Sequence, residues 1–188
     1  MEHDHKKNLQ DNKMEKRLKN IKALVFDVDG VMTDGGILIN SDGELYRFFD
    51  AKDSLALRLA SLVPYHLGCI TGATATNIVK RLGVCGFKKE DIYLSSRNKI
   101  VDFNNFCKRH SLKSEEVMYF GDDLPDISVI QAAGIGICPS DAVDEVKEVA
   151  DYISPYGGGK LFIRKAIEMV MKAQGKWGFD VENYTNKF

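Results

Sequence analysis

From Ile21 onward, short unbroken apolar runs alternate with longer segments in which apolar residues recur at helical spacing. The short runs predict strands over Ala23–Phe26, Tyr65–Ile70, Asp91–Leu94, Val117–Phe120, Ile135–Cys138 and Tyr152–Ile153. The longer segments predict helices over Asp53–Leu62, Thr74–Leu82, Asn98–His110, Leu124–Ala133 and Lys160–Lys172. In the first of these, Asp53 or Ser54 is the expected N-cap, and Leu55, Leu59 and Leu62 form one stripe. Strands without polar alternation, each followed by a helix, imply an α/β fold: a doubly wound parallel sheet with helices on both faces. One segment breaks the alternation. "GILINSDGELYRFF", Gly36 to Phe49, has two strand-like halves around Asn40-Ser41-Asp42-Gly43 and predicts a β-hairpin. In such a sheet ligands bind beyond the carboxyl ends of the strands, so a hairpin leaving that edge would act as a flap.

The chain of 188 residues, 44% of them hydrophobic, suits one domain with a well-buried core. Residues 1–19 are polar and read as a loose or partly helical tail, 20–175 as the domain, and 176–188 as a second, irregular tail. His3-Asp4-His5 in the first tail has no fixed geometry with which to hold a metal. A formal charge of -1 provides no field for nucleic acid or an anionic membrane surface. There is no signal-peptide pattern and no apolar run approaching the roughly 20 residues of a membrane span. These features predict a soluble, cytoplasmic protein. Cys69, Cys85, Cys107 and Cys138 are widely spaced with no C-x-x-C pair, and read as reduced core thiols.

The candidate chemistry lies at the strand ends. Asp27-Val28-Asp29-Gly30 closes the first strand with two carboxylates on one side of an extended chain. Gly121-Asp122-Asp123 closes another, with Asp126 close behind. Read alone, the first pair is compatible with a simple Asx turn, and one of the second group with a helix cap. Acids at two strand ends together suit a hard cation such as Mg2+, which takes oxygen ligands and substrate phosphate. Thr71-Gly72 follows a third strand and Lys99 opens a helix; singly, these read as a cap and a solvated side chain.

The order D-x-D-G-x-x-T-D, T-G, Lys, G-D-D-x-x-D resembles the haloacid dehalogenase superfamily of phosphatases, over roughly Lys22 to Lys172. The resemblance implies a Mg2+-dependent phosphomonoesterase working through an aspartyl phosphate. Asp27 would be its nucleophile, and Asp29 the general acid and then base. Mg2+ would be held by the Asp27 carboxylate, the Asp29 carbonyl and Asp122, with Asp123 and Asp126 supporting, while Thr71 and Lys99 bind the phosphoryl oxygens.

Neither gap between motifs has room for a cap domain. "FFDAKDSLALR", "GDDLPD", "GGGK" and "KAQGKW" are similar to the small tetrameric phosphatases of 3-deoxy-D-manno-octulosonate 8-phosphate, in which a neighbouring subunit closes the site. That family implies a phosphorylated sugar-acid substrate, a homotetramer, a place in lipopolysaccharide biosynthesis, and contacts at Asp29, Asp50, Ala51, Lys52, Asp53, Ser54, Arg58, Thr71, Gly72, Arg81 and Lys99. It also suggests that the C-terminal tail reaches a neighbouring site. This chain departs from the family at Ala73, where an arginine is usual, and at Ser54, where glycine is. A related nine-carbon 2-keto-3-deoxy sugar acid phosphate is therefore the alternative substrate. Rivals of another class are a phospho-receiver domain, disfavoured by the order of the motifs, and a non-catalytic scaffold, disfavoured by the intact acid pair. No glycine-rich nucleotide-binding motif is present.

Overall fold

The computed structural model describes residues 12–74 and 76–178. The His3–His5 group and most of both expected tails lie outside the described residues. Helix α1 (12–20) leads into strand β1 (Ala23–Phe26). A hairpin of β2 (Leu38–Ile39) and β3 (Leu45–Tyr46) follows, then helix α2 (Ala51–Ser61) and strand β4 (His66–Ile70). Next come α3 (Asn77–Val84), β5 (Ile92–Tyr93), α4 (Lys99–Arg109) and β6 (Val117–Phe120). The chain continues through α5 (Ile127–Ala132), β7 (Ile135–Cys138), α6 (Asp144–Val149), β8 (Tyr152–Ile153) and α7 (Phe162–Ala173).

Six strands form one sheet in the order β5-β4-β1-β6-β7-β8, every neighbouring pair parallel. This is the doubly wound order, with its switch at the central strand. All four residues of β1 are completely buried, as expected of a strand covered on both faces. Its alternate side chains divide between two cores. Leu24 and Phe26 pack with residues of α1, α2, α3 and α7, while Ala23 and Val25 pack with residues of α4, α5 and α6. Each large side chain so buried contributes about 2 to 3 kcal/mol. The four cysteines are buried and unbridged. Among the described residues there is no inserted domain beyond the hairpin, and no helix long and apolar enough to cross a membrane.

Several boundaries differ from the sequence expectation. Helix α2 begins earlier, because the Asp50 carboxylate, not Asp53 or Ser54, accepts from the Lys52 and Asp53 amides. Its buried face is Ala56, Leu57, Leu59 and Ala60, with Leu62 exposed beyond the helix, because α7 lies along it. Tyr65 sits in the turn before β4, its amide donating to Val63, and Asp91 ends a 3-10 turn. Pro125 sits in a second 3-10 turn, Leu124–Asp126, which holds back the start of α5. Helix α6 was not expected; "DEVKEV" buries only Val146 and so carries no periodic apolar stripe. Within the expected N-terminal tail, Leu18 is buried, and Arg17 ties α1 to the Gly134 carbonyl and Asp151. Trp177, at the start of the other expected tail, packs on the core beside Arg164.

Candidate active site

Strand register brings the acids together. Phe26 lies opposite both Phe120 and Cys69, so the residues that follow them leave one edge of a parallel sheet side by side. Gly30 turns the chain there at φ +83°, and a Cβ at this position would stand 1.9 Å from an Asp122 oxygen. Only glycine lets the two strand-end loops approach so closely. The Gly157–Gly159 run seats against the same loop: a Cβ at Gly158 would meet the Gly30 carbonyl. Thr33 is fully buried; its hydroxyl donates to the Val28 carbonyl and accepts from the Gly30 and Gly35 amides, which shapes the turn from inside.

One carboxylate oxygen each from Asp27, Asp122 and Asp126 lie within 4.8 Å of one another. Lys99 Nζ stands 3.1 Å from Asp27 Oδ2 and 2.7 Å from Asp126 Oδ1. Tyr119, buried in β6, donates to the same Asp126 oxygen at 2.6 Å, and the Asp122 and Asp123 amides donate to the other. Asp126 is thus fully engaged as a brace. Asp27 Oδ1 and Asp122 Oδ1, in contrast, are buried without a partner.

The charges follow from this packing. Burial and the Asp126 charge push Asp27 up to about 7, against the pull of Lys99. Burial, Asp27 and Asp126 push Asp122 up to about 8. Burial works against the Lys99 ammonium, but Asp27 and Asp126 outweigh it and hold its pKa above the usual value. Burial likewise lifts the Tyr119 phenol, which stays a donor. Two orphaned oxygens on acids that repel each other fit a hard divalent cation placed between them.

The other expected residues fall into three groups. Thr71 is buried beside this centre at the end of β4, its hydroxyl accepting from the Ala73 amide; Gly72 is exposed. Asp50, Ala51, Lys52, Ser54 and Arg58 lie on or at the start of α2. Arg81, on α3, joins them by donating to Ser54 Oγ and stacking 5.7 Å above Phe49. Arg58 and Arg81 line a groove of about 580 Å³ with Ala51, Ser54 and Leu55. Asp53 is set apart. It is buried, accepts from the Arg164 amide at 2.7 Å, and caps α7 in place of Leu161, which has no capping side chain. Burial pushes it up to about 6. One of its oxygens is thus spent on the fold, while Oδ2 is buried without a partner. Asp123 caps the 3-10 turn through the Leu124 amide and does not join the three clustered acids.

Two residues escaped the sequence reading. Tyr119 was visible only as the single polar tip in "VMYF". Arg47, on the return arm of the hairpin, forks Asp29 with Nε–Oδ1 2.5 Å and Nη2–Oδ2 2.9 Å. A lone cation in an apolar ribbon was its signal.

A family model of haloacid dehalogenase-like hydrolases matches residues 76–157. The 3-deoxy-D-manno-octulosonate 8-phosphate phosphatase KdsC of Escherichia coli (strain K12) is 31% identical over 160 residues, covering 85% of this chain and 84% of that protein. A crystal structure of the 3-deoxy-D-manno-octulosonate 8-phosphate phosphatase of Moraxella catarrhalis, in complex with magnesium ion, phosphate ion and KDO, superposes with a TM-score of 0.85 at 28% identity. That match covers 94% of this chain and 98% of the other. The corresponding structure from Yersinia pestis gives 0.83 at 29% identity, covering 86% of each chain. With the acid cluster, the capless sheet and this extent of identity in agreement, the chain belongs to the 3-deoxy-D-manno-octulosonate 8-phosphate phosphatase family of haloacid dehalogenase-like hydrolases.

Proposed function

We propose that this chain is a Mg2+-dependent phosphomonoesterase that hydrolyses 3-deoxy-D-manno-octulosonate 8-phosphate to the free sugar acid and phosphate. The observation that carries the reading is the pair of orphaned carboxylate oxygens, on Asp27 and Asp122, beside the buried Lys99. The first acid has a free oxygen for attack, and the second a free oxygen for a cation.

In this reading Asp27, Asp122 and the Asp29 carbonyl hold Mg2+, which when bound screens the phosphate charge from the attacking carboxylate. Asp27 attacks phosphorus; the bond to the sugar oxygen breaks, and Asp29 gives that oxygen its proton. Asp29 then takes a proton from water, whose oxygen attacks the aspartyl phosphate. The bond to Asp27 breaks and phosphate leaves. Lys99 and the Thr71 hydroxyl stabilise the equatorial oxygens throughout. Asp126 and Tyr119 keep Lys99 in place.

The groove with Arg58 and Arg81 receives the sugar acid, its carboxylate meeting guanidinium. Ala73, where the family has a cation, favours a nine-carbon sugar acid phosphate as the second substrate to test. The hairpin exposes Ile37, Leu38, Ile39 and Phe48, which supports a homotetramer in which a neighbouring subunit covers this ribbon and closes the site. A cytoplasmic location and a role in lipopolysaccharide biosynthesis accompany that substrate.

A phosphate-release screen with Mg2+ over phosphorylated 2-keto-3-deoxy acids, simple sugar phosphates and an aryl phosphate tests the proposal. Preference for the eight-carbon acid is the expected result. A preference for phosphates lacking a carboxylate removes the sugar-acid assignment, and no release from any of them removes the enzyme.

A further inference from the structure

The flap does more than cover. Arg47 stands directly after β3, and its side chain is only 5% exposed although the hairpin around it is open to solvent. Its two parallel bonds to Asp29 make a bidentate fork, which fixes the plane of a carboxylate as well as its position. The remaining Nη1 is buried without a partner. Buried donors without a partner are a small minority in folded proteins, so this one calls for an explanation.

The ribbon that delivers Arg47 is braced from within. Asn40 Oδ1 accepts from the Asp42 and Glu44 amides, and the Glu44 carboxylate accepts from Asn40 Nδ2 and from the Tyr46 hydroxyl at 2.6 Å. Tyr46 in turn pairs with Leu38 across the hairpin. The guanidinium is therefore held by a short, internally bonded unit.

We infer that Arg47 is a positioning residue for Asp29, so that hairpin and acid work as one device. This rests on the phosphatase reading, in which Asp29 delivers the proton to the leaving oxygen. The oxygen that carries the proton donates it outward while its lone pair still accepts one N–H of the fork, and the guanidinium stabilises the carboxylate left behind. The last torsion of an aspartate is broad and poorly held by its own rotamer preferences. Proton delivery is worth most when donor and leaving oxygen are held in line. The demand is graded: an alkoxide must be protonated as it departs, whereas a dinitrophenolate leaves readily as the anion. Loss of the fork must therefore weigh on poor leaving groups and spare good ones.

The test is kcat and KM for Arg47→Gln and Arg47→Lys with Mg2+ over an alkyl phosphate, phenyl phosphate, nitrophenyl phosphate and dinitrophenyl phosphate. Arg47→Gln is expected to lose about 10²-fold in kcat for the alkyl phosphate and less than about tenfold for dinitrophenyl phosphate. Arg47→Lys keeps the charge without the fork and recovers only part of the loss. In an Asp29→Asn background, Arg47→Gln is expected to add no further loss, as for two residues acting through one group. Equal losses along the series, full additivity with Asp29→Asn, or a gain in rate each overturn the inference. Melting curves separate misfolding from chemistry, and Arg47→Lys decides the question if the Gln variant does not fold. Should the wild-type protein hydrolyse neither this series nor 3-deoxy-D-manno-octulosonate 8-phosphate, it is the phosphatase reading that falls; wild-type turnover with a flat variant profile sinks only the role of Arg47.

Discussion

The two ends of the same sheet each bury an acid, and treat it in opposite ways. At the amino end, Asp91 is 2% exposed beside β5, with His110 Nε2 at 2.8 Å and Arg109 Nε at 3.7 Å. The His110 ring stacks on His66, the first residue of β4. Burial, followed by the neighbouring His110, holds His66 below the usual histidine value. At the carboxyl end, Asp27 and Asp122 each keep a buried oxygen without a partner, and both are lifted far above the usual carboxylate range. Asp91, which holds structure, is met by donors. An acid that must attack or bind a cation is left short of them, and the fold bears the cost.

The strongest way to break this contrast is at the carboxyl end. Asp27→Asn is expected to abolish phosphate release, by about 10⁴-fold or more, and chelation of Mg2+ to do the same to the wild-type protein. Asp122→Asn is expected to cost about 10²-fold or more in kcat/KM. In chelator, the same variant is expected to raise stability by about 1 kcal/mol, because it removes a repelled carboxylate; melting curves with and without Mg2+ read both effects.

The pH response sharpens the contrast further. Without metal, Asp27 at about 7 and Asp122 at about 8 lie far above the value of about 4 expected in the unfolded chain. Between these limits the folded state binds more protons than the unfolded one. The contribution of the two acids to stability is therefore full below about pH 4 and is lost as pH rises through about 7 to 8. The melting temperature in chelator is expected to fall across that window and, with saturating Mg2+, to hold steady. The smallest effect belongs to the amino end. Asp91→Ala is expected to cost about 1 to 3 kcal/mol of stability by stripping His110 of its acceptor, with kcat per folded molecule unchanged.

Much of this was legible locally. The runs "ALVF", "VMYF" and "IGIC" are continuous apolar strands and coincide with β1, β6 and β7, because complete burial leaves no polar alternation to blur their ends. The Asp-Gly turn announced the hairpin for an equally local reason: Gly43 adopts φ +78°. Helix α6 was not legible, since six residues with one buried valine carry no period. The structural bond of Asp53 was hidden for a different reason. The family resemblance puts this acid among substrate contacts, whereas the Arg164 amide that it bonds in the fold comes from the far end of the chain.

By itself, the sequence determined that the chain would form a doubly wound sheet with carboxylates at the ends of two strands, because strand burial and turn chemistry are written in consecutive residues. Only the tertiary structure decided which carboxylates face each other and which are spent on the fold. Parallel register set Asp27 beside Asp122 across a glycine, Lys99 and Tyr119 took Asp126, and the hairpin returned Arg47 to Asp29. These pairings depend on distances between segments far apart in the chain, which no local period or motif spacing encodes.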